Sequence, residues 1–106
     1  MALAVYAHAT GLCKEVWRPV VRLVEASGVP ATPYLFDFKG HGSRGLTDPI
    51  ADGDTWDGFA VDDVLAAVAR AQQIHGGNTA AGPLPVIGVG HSFGGAALVK
   101  VRSDVR

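Results

Sequence analysis

Apolar residues along this chain follow two rhythms, and glycine or proline stands wherever one gives way to the other. Leu3–His8 is a short apolar run rich in strand formers, closed by Ala9-Thr10-Gly11. Val16, Trp17, Val20, Val21 and Val24 then recur at helical spacing and predict an amphipathic helix. Pro19 must lie in its first turn, because deeper in the helix its ring would clash with a carbonyl one turn back. Gly28, with Pro30 beyond it, is the expected stop. Pro33–Phe38 reads as a second strand, apolar on both faces except at Asp37, as a sheet covered on both sides requires.

Residues 39–53 form a loop containing GHGSRG. Asp54 or Thr55 can cap a second helix that presents Trp56, Ala60, Val64, Ala67, Val68, Ala71 and Ile74 on one face. Gly76 and Gly77 end that helix, and the polar stretch NTAAGP leads to a third strand, Leu84–Gly90. Its Pro85 is tolerable only near the strand's start. A third helix opens at Phe93 and runs to about Val101. Strand and helix alternate three times, which predicts right-handed crossovers. The fold class is α/β: a single domain over residues 1–106, three layers, helix–sheet–helix, around a short parallel sheet of about three strands.

Composition narrows the function. The chain has 106 residues, 48% hydrophobic and 18% charged, with a net charge of −1 and a mean hydropathy of +0.22. That is too apolar for disorder, and no basic excess exists to neutralise nucleic-acid phosphates. No run of 18 apolar residues can span a membrane. A single cysteine excludes an internal disulfide, and no basic segment precedes the apolar opening, so a cytoplasmic protein is expected. The four histidines lack the i, i+4 spacing of a metal site, and neither a metal nor a cofactor is expected.

The sharpest chemical signal is Gly90-His91-Ser92-Phe93-Gly94, a G-x-S-x-G pattern between a strand and a helix. A turn of that kind strains the serine backbone and crowds the side chains two positions away, so glycine is needed at both flanks. The hydroxyl then stands at a helix N-terminus, where the helix dipole and the free N–H of Phe93 favour developing negative charge.

Two further motifs occur in order with it. His8-Ala9-Thr10-Gly11 follows the first strand, and Asp37-Phe38-Lys39-Gly40-His41-Gly42 follows the second. Together the three resemble the N-terminal part of the α/β-hydrolase superfamily, whose members often carry H-G-x-x-G, D-x-R-G-H-G and G-H-S-x-G-G. Ala9 and Lys39 depart from that pattern without removing a group that does chemistry. The resemblance implies a partial α/β-hydrolase fold with Ser92 as nucleophile. It further implies an oxyanion hole made by the backbone N–H groups of Phe93 and Thr10, with Gly90, His91, Gly94, His8 and Gly11 supporting the elbow and the loop. The implied chemistry is hydrolysis of a small ester, thioester, lactone or amide through an acyl-enzyme.

The acid–base half is missing from that picture. In this superfamily an Asp or Glu and then a His follow the serine. Here Asp104 would lie roughly 18 Å along the helix at ~1.5 Å per residue, and no histidine follows Ser92. His91, the neighbour of Ser92, should point elsewhere, and His8, His41 and His75 suit structural places. The expectation is therefore a truncated chain, inactive by itself. A competing reading is a non-catalytic remnant or a subunit that self-associates through apolar sheet edges, since the resemblance implies a central first strand, which leaves the other two as edges. A nucleotide-binding unit fits less well, because Phe93 breaks the G-x-G-x-x-G spacing.

Overall fold

The computed structural model describes residues 2–75, 78–79 and 82–104. Three parallel strands form the main sheet: β1 (Ala2–Ala7), β2 (Ala31–Leu35) and β5 (Val86–Gly90), in the order β2-β1-β5. A two-residue antiparallel pair, β3 (Asn78–Thr79) with β4 (Gly82–Pro83), precedes β5. The helices are α1 (Arg18–Ala26), α2 (Trp56–Ile74) and α3 (Phe93–Asp104), and a 3-10 turn over Lys14–Trp17 leads into α1.

The alternation of β1 divides its side chains between two layers. Leu3, Val5 and Ala7 join Phe36, Phe38, Phe59, Val64 and Ala67 under α2 and α3. On the opposite face Ala4 and Tyr6 meet Trp17, with Val21 of α1 alongside. The sheet is thus sandwiched between helices, as the sequence pattern predicts. The two faces differ in depth. Complete burial of Leu3 and Val5 stabilises the larger core by about 1.5–3 kcal/mol per side chain. On the α1 side Leu23 stays 72% exposed, and the buried indole N–H of Trp17 finds no acceptor among the described residues.

Local chemistry explains most boundaries. Pro19 lies at the start of α1, and Gly28, at a φ of +79°, ends it. Thr55 rather than Asp54 caps α2, its Oγ1 accepting from the Gly58 N–H at 3.1 Å. The expected face of α2 is buried at Ala60, Val64, Ala67 and Ala71, while Trp56 and Ile74 at its ends stay about half exposed.

The second strand requires a correction. It spans Ala31–Leu35, so Phe36, Asp37 and Phe38 leave the ladder although they are the most buried part of that run. Beyond Leu35 the Phe38 N–H donates to the His8 imidazole at 3.1 Å, and a side chain takes over the role of a paired backbone.

Register separates the two edges. The Ala2 N–H bonds the Pro30 carbonyl, so Ala31, Pro33 and Leu35 point their backbone groups outward. Pro33 has no N–H to offer there, and the Ala31 N–H turns back to the Val29 carbonyl at 2.9 Å, which blunts the β2 edge. On β5 the bonds from Leu3 to the Pro85 carbonyl and from His91 to the Ala7 carbonyl direct Val86, Gly88 and Gly90 outward. Among the described residues no other strand pairs with that edge.

Candidate active site

The three motifs meet where the strands end. The Ala7 carbonyl accepts the His91 N–H at 3.1 Å, tying the end of β1 to the turn that follows β5. Ser92 occupies that turn at a φ of +53°, the one non-glycine residue among those described to have a positive φ. Such a conformation costs a side-chain-bearing residue on the order of 1–3 kcal/mol and persists only where the surroundings impose it.

The surroundings are the flanking glycines. A Cβ at Gly90 would stand 2.6 Å from both the Cα and the N of Gly95. One at Gly94 would drive into the carbonyls of Ala7 and His8. Neither backbone has room to yield, so the two glycines are a steric requirement. The Ser92 carbonyl accepts the Ala96 N–H at 3.0 Å, which starts α3 immediately after it.

Ser92 is exposed, and its hydroxyl has no hydrogen-bond partner among the described residues. The N–H groups of Phe93 and of exposed Thr10 likewise find no acceptor there. The Thr10 turn is closed from both sides: the Ala9 carbonyl accepts from the Leu12 N–H at 3.1 Å and from His8 Nδ1 at 2.8 Å.

His8 is completely buried, with one nitrogen donating to Ala9 and the other accepting from Phe38. That arrangement requires the neutral ring. Nε2 also lies 3.9 Å from the Asp37 carboxylate, but its lone pair is already engaged, so the contact is not an ion pair. Burial lowers the His8 pKa, and the His41 ring 5.2 Å away adds to the shift.

Asp37 anchors the second motif. Its carboxylate accepts from the Lys14 N–H at 2.8 Å, Lys14 Nζ at 3.1 Å, the Ser43 N–H at 3.1 Å and Ser43 Oγ at 2.9 Å. Burial alone would raise its pKa, but these bonds outweigh burial and hold it at about 2. Gly42, at a φ of +53°, passes so close that a Cβ would strike the carboxylate. Arg44 adds a bond to the Asp37 carbonyl at 3.0 Å and pairs with Asp48 and Asp63. A cavity of about 470 Å³ opens beside this cluster, lined by the Lys14–Asp37 and Arg44–Asp63 pairs and by Arg70, whose guanidinium donates to Gln73.

Behind the elbow lies a wall of aromatic rings. Phe93 meets Trp56 at 4.8 Å, Phe38 at 5.3 Å and Phe59 at 6.4 Å. Phe38 continues the stack to His8 at 5.1 Å. The side chain of the residue after Ser92 is therefore fixed from several directions.

The structure brings His8, Gly11, Thr10, Gly90, His91, Ser92, Phe93 and Gly94 to one end of the sheet. Among the described residues no side chain is hydrogen-bonded to the Ser92 hydroxyl. His8 has both nitrogens committed, His41 is buried with Nδ1 bonded to the Lys39 carbonyl, and His75 ends α2. Sequence reasoning missed Lys14, Ser43 and Arg44 as partners of Asp37, because no periodicity connects residues from three separate turns. Trp56, read as core, is 44% exposed beside Phe93.

Among the described residues no helix is long and apolar enough to cross a membrane. A family model described as Alpha/beta hydrolase family matches residues 4–105. No curated protein and no solved structure matches the chain.

Proposed function

The chain belongs to the alpha/beta hydrolase family, and from that premise we propose that it carries the nucleophile and oxyanion half of a serine hydrolase. The observation that carries this reading is the strained backbone of exposed Ser92, clamped between two glycines at the start of a 12-residue helix. Ser92 Oγ attacks the carbonyl carbon of a small ester, thioester, lactone or amide. The oxyanion that forms accepts from the N–H groups of Phe93 and Thr10, donors that have no competing acceptor among the described residues. Collapse expels the leaving group, and water then releases the acyl group from Ser92.

A serine hydroxyl needs a base to take its proton. Among the described residues no side chain is hydrogen-bonded to the Ser92 hydroxyl to act as that base, and the chain by itself turns over substrate poorly or not at all. Intact-mass labelling with a fluorophosphonate at alkaline pH tests this. Oxyanion stabilisation and binding alone leave roughly 10³–10⁴-fold of catalysis in triads stripped of their members. One slow adduct is expected, absent from Ser92→Ala and formed faster when imidazole is added as a substitute base. Labelling of Ser27 or Ser43 at the same rate as Ser92 contradicts the assignment.

A second reading, self-association through β5, is favoured by the outward-facing backbone of Val86, Gly88 and Gly90, which pairs with no other strand among the described residues. Val86 and Ile87 are 37% and 50% exposed, and an apolar edge of this kind invites pairing with another strand. Light scattering coupled to size exclusion should show a concentration-dependent dimer. A monomer throughout the micromolar range counts against it.

A further inference from the structure

Resting on the Ser92 reading above, we propose that His8 is a positioning residue for that reaction. Its neutral ring fixes the Ala9–Thr10 peptide so that the Thr10 N–H stays presented as an oxyanion donor. His8 is completely buried, so it acts through this peptide and not on the substrate.

Peptide planarity transmits the effect. The Ala9 carbonyl and the Thr10 N–H belong to one trans peptide, in which the two groups point in opposite directions. The carbonyl is held by two donors, His8 Nδ1 at 2.8 Å and the Leu12 N–H at 3.1 Å. With the carbonyl directed at the buried ring, the Thr10 N–H must point away from it. Among the described residues no acceptor meets it there. The Leu12 bond closes the turn around Thr10 and Gly11 and moves with that turn. His8 instead ties the peptide to a distant segment, because its Nε2 accepts from the Phe38 N–H at 3.1 Å.

Only one protonation state of His8 does this. Nδ1 must carry a hydrogen to donate to Ala9, and Nε2 must be bare to accept from Phe38. A second proton would set two N–H groups against each other at Nε2. The Asp37 carboxylate stands 3.9 Å from Nε2 and offers the imidazolium an acceptor in place of Phe38. A ring tethered at Nδ1 cannot turn towards Asp37 without dragging the Ala9 carbonyl with it. Burial is the largest influence opposing that proton, and the His41 ring at 5.2 Å adds to it, while Asp37 and Glu15 favour the charge. Lys14, 3.1 Å from Asp37, offsets the pull of that carboxylate. The ring therefore stays neutral to below the usual histidine range.

Two readouts test this. Nitrogen-15 NMR of the wild-type chain should show the His8 ring as one neutral tautomer at neutral pH, with its hydrogen on Nδ1. As the pH falls below 6.5, the Thr10 amide resonance should shift along the same titration curve as the ring. Fluorophosphonate labelling of Ser92 is then compared between wild type and His8→Leu at each pH, so that the ionisation of serine and of added imidazole cancels. Wild type should label at least ~10-fold faster at pH 8, less than the ~10²–10³ that loss of a whole oxyanion donor costs. That advantage should shrink towards parity below the midpoint of the ring. If His8→Leu does not fold, the wild-type Thr10 amide decides alone. The opposite tautomer, a Thr10 amide that ignores the ring's titration, or an advantage equal at every pH overturns the proposal. A Thr10 amide that follows His8 without any adduct at Ser92 instead overturns the serine reading and leaves a proton-sensitive turn.

Discussion

The end of the sheet that carries Ser92 and the long edge along β5 belong to one strand, and they are built in opposite ways. At the strand ends the supporting groups are matched, while the Ser92 hydroxyl and the Phe93 and Thr10 N–H groups are left over among the described residues. His8 uses both nitrogens, Asp37 accepts four bonds, and Gly94 lies against the end of β1 without room for a methyl group. Along the edge Val86, Gly88 and Gly90 leave a backbone ladder open, and Ile87 is half exposed. The contrast is that the elbow is held by the end of β1, by α3 through the Gly90–Gly95 approach and by the rings around Phe93, none of which pairs with the outer edge of β5.

Substitution at the closed end should have the largest effect. Gly94→Ala drives a methyl group into the carbonyls of Ala7 and His8. Backbone cannot rotate away as a side chain does, so a loss of about 3 kcal/mol or more is expected in urea unfolding, together with loss of the Ser92 adduct. Retention of both would show that the elbow is loose.

Asp37→Asn comes next. It leaves Lys14 without its buried partner while keeping the shape, and a loss of about 2–3 kcal/mol is expected at neutral pH. With Asp37 held at about 2, its contribution is fully present above the unfolded carboxylate value and disappears as the pH falls through about 4 towards 2. The variant should therefore lose that part of the acid transition. An unchanged acid limb would mean that Asp37 is not the clamp.

His8 acts over a different range. Its folded pKa lies below the usual 6.5, so the unfolded chain takes up the proton first. Stability should be complete above about 6.5 and decline as the pH falls below it. In His8→Asn, whose side chain can still donate and accept, that slope should vanish in thermal melts collected between mildly acidic and neutral pH. A slope that persists in the variant assigns the effect elsewhere.

Ile87→Thr on the open edge should have the smallest effect. It changes unfolding by less than about 1 kcal/mol because Ile87 is already half in water. It should still weaken any dimer seen by light scattering, and a large loss of stability would mean that the edge is covered within the monomer.

Much of this was legible in the sequence. The helical stripes and the proline and glycine boundaries follow from local pattern, Gly90-x-Ser92-x-Gly94 announced its own geometry, and the central position of β1 was implied by the family resemblance. Less legible was anything joining turns distant in sequence. Phe36–Phe38 read as strand because burial and strand pattern look alike, and only the His8 ring explains why the ladder stops at Leu35. Lys14 and Ser43 reach Asp37 across 23 and 6 residues of sequence, which no periodicity encodes. Trp56 sat on a stripe that predicted core, yet the stripe ran past the end of the sheet.

Residue-resolved amide hydrogen exchange along β5 tests the contrast most directly. With one side of the strand bonded to β1 and the other open, protection should alternate. Ile87, Val89 and His91 should exchange slowly, and Val86, Gly88 and Gly90 should exchange as fast as a solvated backbone. Slow exchange at all six positions at low micromolar concentration would contradict the account, because the edge would then be covered within the single chain.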